Sequence, residues 1–348
     1  MALERKDLLA LMKTVAKADS TKVATAYSWG DNNYSYAELN DTLRDELNAY
    51  AGSYSLYREN KNLIFSLIEQ TLEEVLPKKV LDQYGTFAEV KTFNQGEKPV
   101  FTRKTGRQRA KNNFISRVGL AGIYEVFKLG GTSIEVPTGA VGGAAQIGLE
   151  EFLDGRVDFA ELTEIIMEGM DDIVYREIAK ALQAGIASLP AVNKVTTNTF
   201  NEAGFDQLLA TAAAYGAPTI YCTFEFAVTM MPNTDWVSDA MKDERWAKGY
   251  FTRYKGHPVI ILPQSFEDET NTTKVIDPSY AYIIPTGADG KPVKVAFEGD
   301  TIVDEYTNYD RSREIQVYKK LGVVAMMASN ICEYRNTALT TTNKPFEV

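Results

Sequence analysis

The segment from Asp158 to Ala187, DFAELTEIIMEGMDDIVYREIAKALQAGIA, constrains the fold more than any other part of the chain. Its apolar residues Phe159, Leu162, Ile165, Ile166, Met170, Ile173, Val174, Ile178 and Leu182 recur at intervals of three and four, so they line one side of a helix. At 1.5 Å per residue such a helix spans roughly 45 Å, several times the usual three turns. A rod of that length needs an apolar surface along most of its run. Its opposite side is acidic: between Glu150 and Glu177 there are ten Asp or Glu residues and two arginines, Arg156 and Arg176. Adjacent acids such as Asp171 and Asp172 diverge by about 100° on a helix and do not converge on one bond, so this side reads as a solvated or partner-facing surface. Pro190 closes the element.

A second feature carries the opposite charge. Residues 101–114, FTRKTGRQRAKNNF, hold five basic side chains and no acid, in a chain whose formal net charge is -10. FAEVKTF and VFTR before it alternate and are rich in β-formers, NFISRVGLAGIYEVFKL after it resumes the pattern, and Gly96, Pro99 and Gly106 mark turns. The expectation is a long β-hairpin with the basic stretch near its distal end, sixteen residues from Thr86 to Phe101 reaching about 50 Å. A two-stranded arm of this kind is marginal alone in water. Its charge fits a nucleic-acid contact through phosphates, a solvated loop, or the complement of an acidic surface on another copy. Phe101 and Phe114 only flank the stretch, so aromatic stacking platforms are not interleaved with the charges. If the arm of one copy lies over the acidic helix of the next, both features are explained together, and such a head-to-tail contact closes into rings.

Around these two features the chain reads as α+β. Leu8, Leu11, Met12 and Val15 predict a helix within residues 1–18, its other face carrying Arg5, Lys6, Lys13 and Lys17. Two more are expected over 36–50 and 60–76, the latter stopped by Pro77, with no sheet in this region. GTSIEVPTGAVGGAAQIG reads as a Gly-rich hinge leading into the long helix. Farther on, FDQLLATAAAYG and WVSDAMKDERWAKG predict helices, and PTIYCTF, GYFTRYKG, HPVIILP, AYIIPTG, KPVKVAFEG, TIVDEY and REIQVYKKLGVVAMMA predict strands.

Catalytic chemistry has little to draw on. His257 is the single histidine, which removes Ser-His-Asp triads and multi-histidine metal sites. Cys222 and Cys332 are the only cysteines, too few for a secreted disulfide framework and each in an apolar context. GAVGGAAQIG lacks the spacing of a dinucleotide or phosphate loop. No run approaches the ~20 apolar residues of a membrane span, and the charged N-terminal residues do not form a signal peptide. The expectation is therefore a non-enzyme without cofactor or metal.

Three stretches, AGIYEVFKLGGTSIEVPTGAVGGAAQIGLEEFLDGRVDFAELTE, YKGHPVIILPQSFEDE and VYKKLGVVAMMASNICEYR, carry a resemblance. With the order of elements over roughly residues 80–335, the chain resembles the major capsid proteins of tailed bacteriophages, the HK-ninety-seven-like family shared with encapsulins. The phrases correspond to the hairpin return and lead-in to the long helix, a central strand, and the last strand. The resemblance implies an N-terminal helical arm over 1–80, an extended loop over 81–120, and a peripheral domain over 121–189 and 316–348 with a spine helix at 158–187. An axial domain over 190–315 would pack around fivefold and sixfold axes. It further implies pentamers and hexamers that tile an icosahedral shell around double-stranded DNA, in a virion assembled in the host cytoplasm. About 80 residues precede the loop, so removal of a long scaffolding segment is not expected. Scaffolding, portal and decoration proteins would be further partners, packaged DNA would be touched weakly and without specificity, and no membrane is involved. The intersubunit contact is expected between Arg103, Lys104, Arg107, Arg109 and Lys111 of one copy and Glu161, Glu164, Glu168 and Asp172 of another. The alternatives are an encapsulin-type compartment shell and a nucleic-acid-binding protein using the basic loop.

Overall fold

The computed structural model describes residues 4–18, 26–30, 32–85, 87–105, 130–147, 159–230, 238–262, 264–286, 291–309, 313–326 and 330–343. Three N-terminal helices come first: α1 (Arg5–Lys17), α2 (Tyr36–Ala51) and α3 (Tyr54–Tyr84). Leu8, Leu11, Met12 and Val15 are buried, as their spacing predicts. α2 opens on a capping box: the Ser35 hydroxyl accepts from the Glu38 amide while the Glu38 carboxylate accepts from the Ser35 amide at 2.8 Å. Between α1 and α2 a small antiparallel pair, β1 (Tyr27–Trp29) and β2 (Asn32–Tyr34), corrects the expectation of a purely helical region.

α3 also corrects the reading of Pro77 as a stop. The helix runs through it for 31 residues. Proline removes one i→i−4 hydrogen bond and costs about 3 kcal/mol in a helix interior. Here Leu72, Val75, Leu76, Val80 and Tyr84 stay buried on both sides of it. At ~1.5–3 kcal/mol per fully buried apolar side chain, that burial outweighs the lost bond.

The strands form two larger sheets. In the first, β3 (Ala88–Phe93), β12 (Val293–Thr307), β13 (Arg313–Ala325) and β6 (Gly139–Ile147) lie side by side in that order. β12 pairs with β3 in parallel and with β13 antiparallel, and β13 pairs antiparallel with β6 over nine residues. KPVKVAFEG and TIVDEY are thus one strand, interrupted by a bulge between Glu298 and Ile302 where Gly299 takes φ +69°. The hinge reading of GTSIEVPTGAVGGAAQIG is likewise corrected. Its residues form β5 (Gly130–Glu135) and β6, and ladder hydrogen bonds hold β6 against β13. Glycine-rich composition mimics a flexible linker when the partner strand is about 175 residues away and invisible locally.

The second sheet has the order β7 (Lys194–Thr197), β14 (Cys332–Asn336), β11 (Tyr280–Thr286), β8 (Ala217–Cys222), β10 (His257–Ile261) and β9 (Arg253–Tyr254). HPVIILP is therefore next to the edge strand rather than central, and GYFTRYKG contributes only β9. The expected last strand divides: β13 ends at Ala325 in the first sheet, and β14 begins at Cys332 in the second. Residues on either side of 315 are shared in the opposite sense to chain order, β12 pairing with β13 and β14 with β7 and β11.

The long helix appears as α4 (Phe159–Ile186), with Met170, Val174, Ile178 and Leu182 buried, while Ile165 is exposed. One apolar core joins α1 to α4 with the first sheet, and a second lies under α5 (Glu202–Ala213) on the second sheet. The tail is completed by α6 (Phe224–Thr229) and α7 (Asp239–Lys248). The observed architecture is α+β, as the sequence predicts.

Candidate assembly surface

The expected arm starts at a defined root. β4 (Val100–Thr105) pairs antiparallel with β5, Val100 opposite Glu135 and Thr105 opposite Gly130. The return strand at the root is therefore GTSIE; the expected return NFISRVGLAGIYEVFKL lies outside the described residues, as do Arg107, Arg109 and Lys111. Arg103 and Lys104 sit in β4, their side chains outside the described set.

Strand alternation decides which side of the first sheet carries this root. Val293, Val295 and Phe297 of β12 point into the helical core. Ala296, on the opposite face, packs with Phe101 and Val136, and Phe93 and Val324 border them. Phe101 is fully buried, its ring 5.7 Å from that of Phe93 in an edge arrangement. The ammonium groups of Lys91 and Lys294 stand 4.9 and 5.8 Å from its centre. Both lysines also bind Glu89, Lys91 at 2.8 Å. Burial works against the Glu89 carboxylate, yet the two ammonium groups hold it below the ordinary range.

Glu298, on the same face, ties the arm down a second time. Its carboxylate accepts from the Thr138 hydroxyl, from the Gly96 amide at 3.2 Å and from Lys320 at 3.2 Å. The Thr138 and Gly96 hydrogen bonds and the Lys320 cation keep it in the charged form, below the ordinary carboxylate range. Residues on both sides of the ribbon, 96 and 138, are thus fixed to one carboxylate of β12. Gly322 allows the close approach: a Cβ there would sit 2.5 Å from the Pro137 carbonyl oxygen.

α4 lies on the other face of this sheet, against β13 and β6. Its acids are not all alike. Asp171 is buried in an ion pair with Lys79 of α3, which corrects the reading of Asp171 as part of a solvated surface. Burial pushes its carboxyl above the ordinary 3.8, against the pull of Lys79. Asp172 is half-buried and raised by the same cause, with Arg176 and Lys79 opposing. Glu168 is exposed; Glu161 and Glu164 lie in α4 with side chains outside the described set. Sequence periodicity marks a helix face as polar but does not reveal a lysine arriving from a helix 90 residues away.

His257 begins β10 in a half-exposed position. Cys222 and Cys332 are buried free thiols, raised by burial, the latter to about 12, so neither is poised as a thiolate. Among the described residues no group of His, Cys, Asp or Glu is arranged to hold a metal, and no helix is long and apolar enough to cross a membrane.

A family model described as "SPbeta prophage-derived putative capsid protein YonB" matches residues 7–332. No curated protein sequence matches. Among solved structures the chain is similar to the capsid of a native GTA particle, with 14% identity, a TM-score of 0.49, and coverage of 73% of this chain and 89% of that one. It is similar to the capsid of the cyanophage P-SCSP1u at 11% identity and TM-score 0.48, covering 72% and 87%. A virus-like particle from Pyrococcus furiosus matches at 12% identity and TM-score 0.40, covering 75% and 97%.

Proposed function

This chain belongs to the family of the SPbeta prophage-derived capsid protein YonB, and from that membership we propose that it builds an icosahedral shell by associating with further copies of itself. The observation that carries the reading is the family match from residue 7 to residue 332, which takes in the arm root, the whole first sheet, the second sheet up to the start of β14, and all the helices described above but for the first two residues of α1. A capsid subunit acts through geometry. Many modest contacts, repeated around symmetry axes, add up by avidity and need no strong pairwise affinity. A ribbon whose root, β4 with β5, is fixed on one sheet suits this role, because a segment anchored at both ends of its root has less entropy to lose when a neighbour receives it.

In this reading the helical core with the first sheet and α4 forms the peripheral domain of an HK-ninety-seven-like subunit, and the second sheet with α5 to α7 forms the axial domain. The expected boundaries of 121–189, 190–315 and 316–348 follow chain order. In the same reading β12 is counted with the peripheral unit and β14 with the axial one, a choice supported by the sheet in which each is hydrogen-bonded. The basic residues Arg103, Lys104, Arg107, Arg109 and Lys111 supply one half of an intersubunit contact. Two surfaces of a neighbour can receive it: the α4 acids Glu161, Glu164 and Glu168 with half-buried Asp172, or the far side of the first sheet. The protein is not an enzyme in this reading, supported by its single histidine and two raised thiols. It resides in the virion shell after assembly in the host cytoplasm, encloses double-stranded DNA, and touches it without specificity.

Electron microscopy of the purified full-length protein tests the proposal. Closed shells of uniform diameter are the expected result. Monomers that persist at high concentration and low salt, without rings or shells, would overturn it.

A further inference from the structure

The bulge in β12 carries polar groups to both faces of the first sheet. On the arm side stands Glu298, whose carboxylate accepts from Thr138, Gly96 and Lys320. Gly299 lies against the turn that leads into the arm: a Cβ there would stand 3.4 Å from the Cβ of Gln95. On the helical side Thr301 and Lys319 are buried, at 4% and 1% exposure. Lys319 and Lys320 are consecutive in β13, so one reaches each face. The Lys319 ammonium donates to the Thr301 hydroxyl at 3.0 Å and stands 5.7 Å from the centre of the Phe297 ring. Burial pushes this lysine below its ordinary range, while Glu73 of α3 and Asp300 of the bulge oppose the shift. α3 grips the strand just beyond. The Val303 amide donates to Glu69 at 2.9 Å, and Lys61 pairs with Glu305 at 3.1 Å.

We propose that the β12 bulge is a coupling device: it passes the seating of the arm root on Glu298 to the buried Lys319–Thr301 pair and on to α3, so that release of the root loosens α3 between Lys61 and Glu73. Backbone conformation is the first ground. Gly299 holds φ +69°, where side chains are strained, and the register with β13 shifts between Glu298 and Ile302, so the ladder alone does not fix this segment. Its shape is set by contacts on the two faces. Burial is the second ground. A buried ammonium whose hydrogen bond goes to one hydroxyl makes any displacement of Thr301 costly, because the charge then loses its acceptor. Adjacency is the third: Val303, held by Glu69, follows Thr301 by two residues. The other anchor of the root, Phe101 with Lys91, Lys294 and Glu89, lies away from the bulge and supplies a control. This mechanics belongs to the single subunit and does not depend on the shell-forming reading.

Hydrogen exchange of the full-length protein, read by mass spectrometry, tests this. Glu298→Gln should raise exchange by about two- to thirtyfold in peptides covering 61–73 and 299–305 as well as at the root. Peptides from α5 and the second sheet should exchange as in wild type. Thr138→Val, which removes one donor to Glu298, should give the same pattern at smaller size and serves if the first variant folds poorly. Glu89→Gln weakens the root at Phe101 without touching the bulge, and should raise exchange in 88–105 alone. From the other side, Glu69→Gln should speed tryptic cleavage within 101–114 by a similar factor, because coupling is reciprocal. A loosened root with wild-type exchange in 61–73 would overturn the inference. So would a root that loosens in neither Glu298→Gln nor Thr138→Val, since Glu298 is then not its seat. Equal loosening of 61–73 by Glu89→Gln would mark a general loss of stability and overturn it too, as would unchanged cleavage in Glu69→Gln.

Discussion

Phe101 opens the most basic stretch of the chain and is nonetheless fully buried. It is the apolar anchor of a charged arm, held between Phe93 and two lysine ammonium groups. Phe101→Ala should cost about 3 kcal/mol, the low end for a buried aromatic because its cluster is small. Urea unfolding measures the loss, and faster proteolysis at the arm would show where it falls. Lys79 is the second residue with a large expected effect. Replacing it with Met leaves Asp171 buried without a partner, at a cost of about 3 kcal/mol at pH 7. The pH dependence has a definite sign. Folding raises the Asp171 carboxyl above 3.8, so between that value and the folded one the folded state holds a proton that the unfolded state has released. Protonation then favours folding. The deficit of Lys79→Met should shrink as pH falls from 7 toward 4, read from urea midpoints across that range; a constant deficit would show that Asp171 is not its source. Replacing both partners with apolar side chains should be close to neutral.

At the scale of elements, α3 shows burial overruling local propensity. Pro77→Ala restores the missing donor and should raise stability by about 1–3 kcal/mol if the neighbouring turn is unstrained. Calorimetry of the full chain would show it as a higher midpoint. The arm root should be acid-labile. Glu298 is held below 4.5 by the groups it binds, so its contribution is present above 4.5 and is lost as pH falls through its folded value. Pepsin should therefore release the arm faster as pH drops below about 4.5, whereas Glu298→Gln should loosen the root already at neutral pH and flatten the profile. α4 and α5 were legible because their apolar spacing is local information. The assignment of GTSIE as the arm's return strand was not, because pairing to VFTRK depends on a closure about 30 residues long. The same limit hid Lys79 beside Asp171 and Glu298 beside Thr138, pairs separated by 92 and 160 positions.

For the whole molecule, assembly should respond to the charge of the arm. Arg107→Glu, Arg109→Glu and Lys111→Glu together should leave the subunit folded by circular dichroism and reduce shell yield several-fold. Exposed ion pairs contribute about 0–1 kcal/mol each, but a shell repeats the loss in every copy. Salt should weaken wild-type assembly in the same direction. Normal shells from the triple variant would remove charge from the account of the contact.

The sequence by itself determined the α+β class, the long acidic helix, the basic stretch at 101–114 and the scarcity of catalytic groups. Each is a property of composition or of periodicity within about 30 residues, which a chain carries wherever its parts end up. Only the tertiary structure decided which face of the first sheet holds the arm root and which holds α4, because strands far apart in sequence meet by hydrogen bonding and alternate burial assigns their faces. That placement fixes the root of the charged stretch, β4 with β5, on the sheet face opposite α4, with Phe101 buried beneath it.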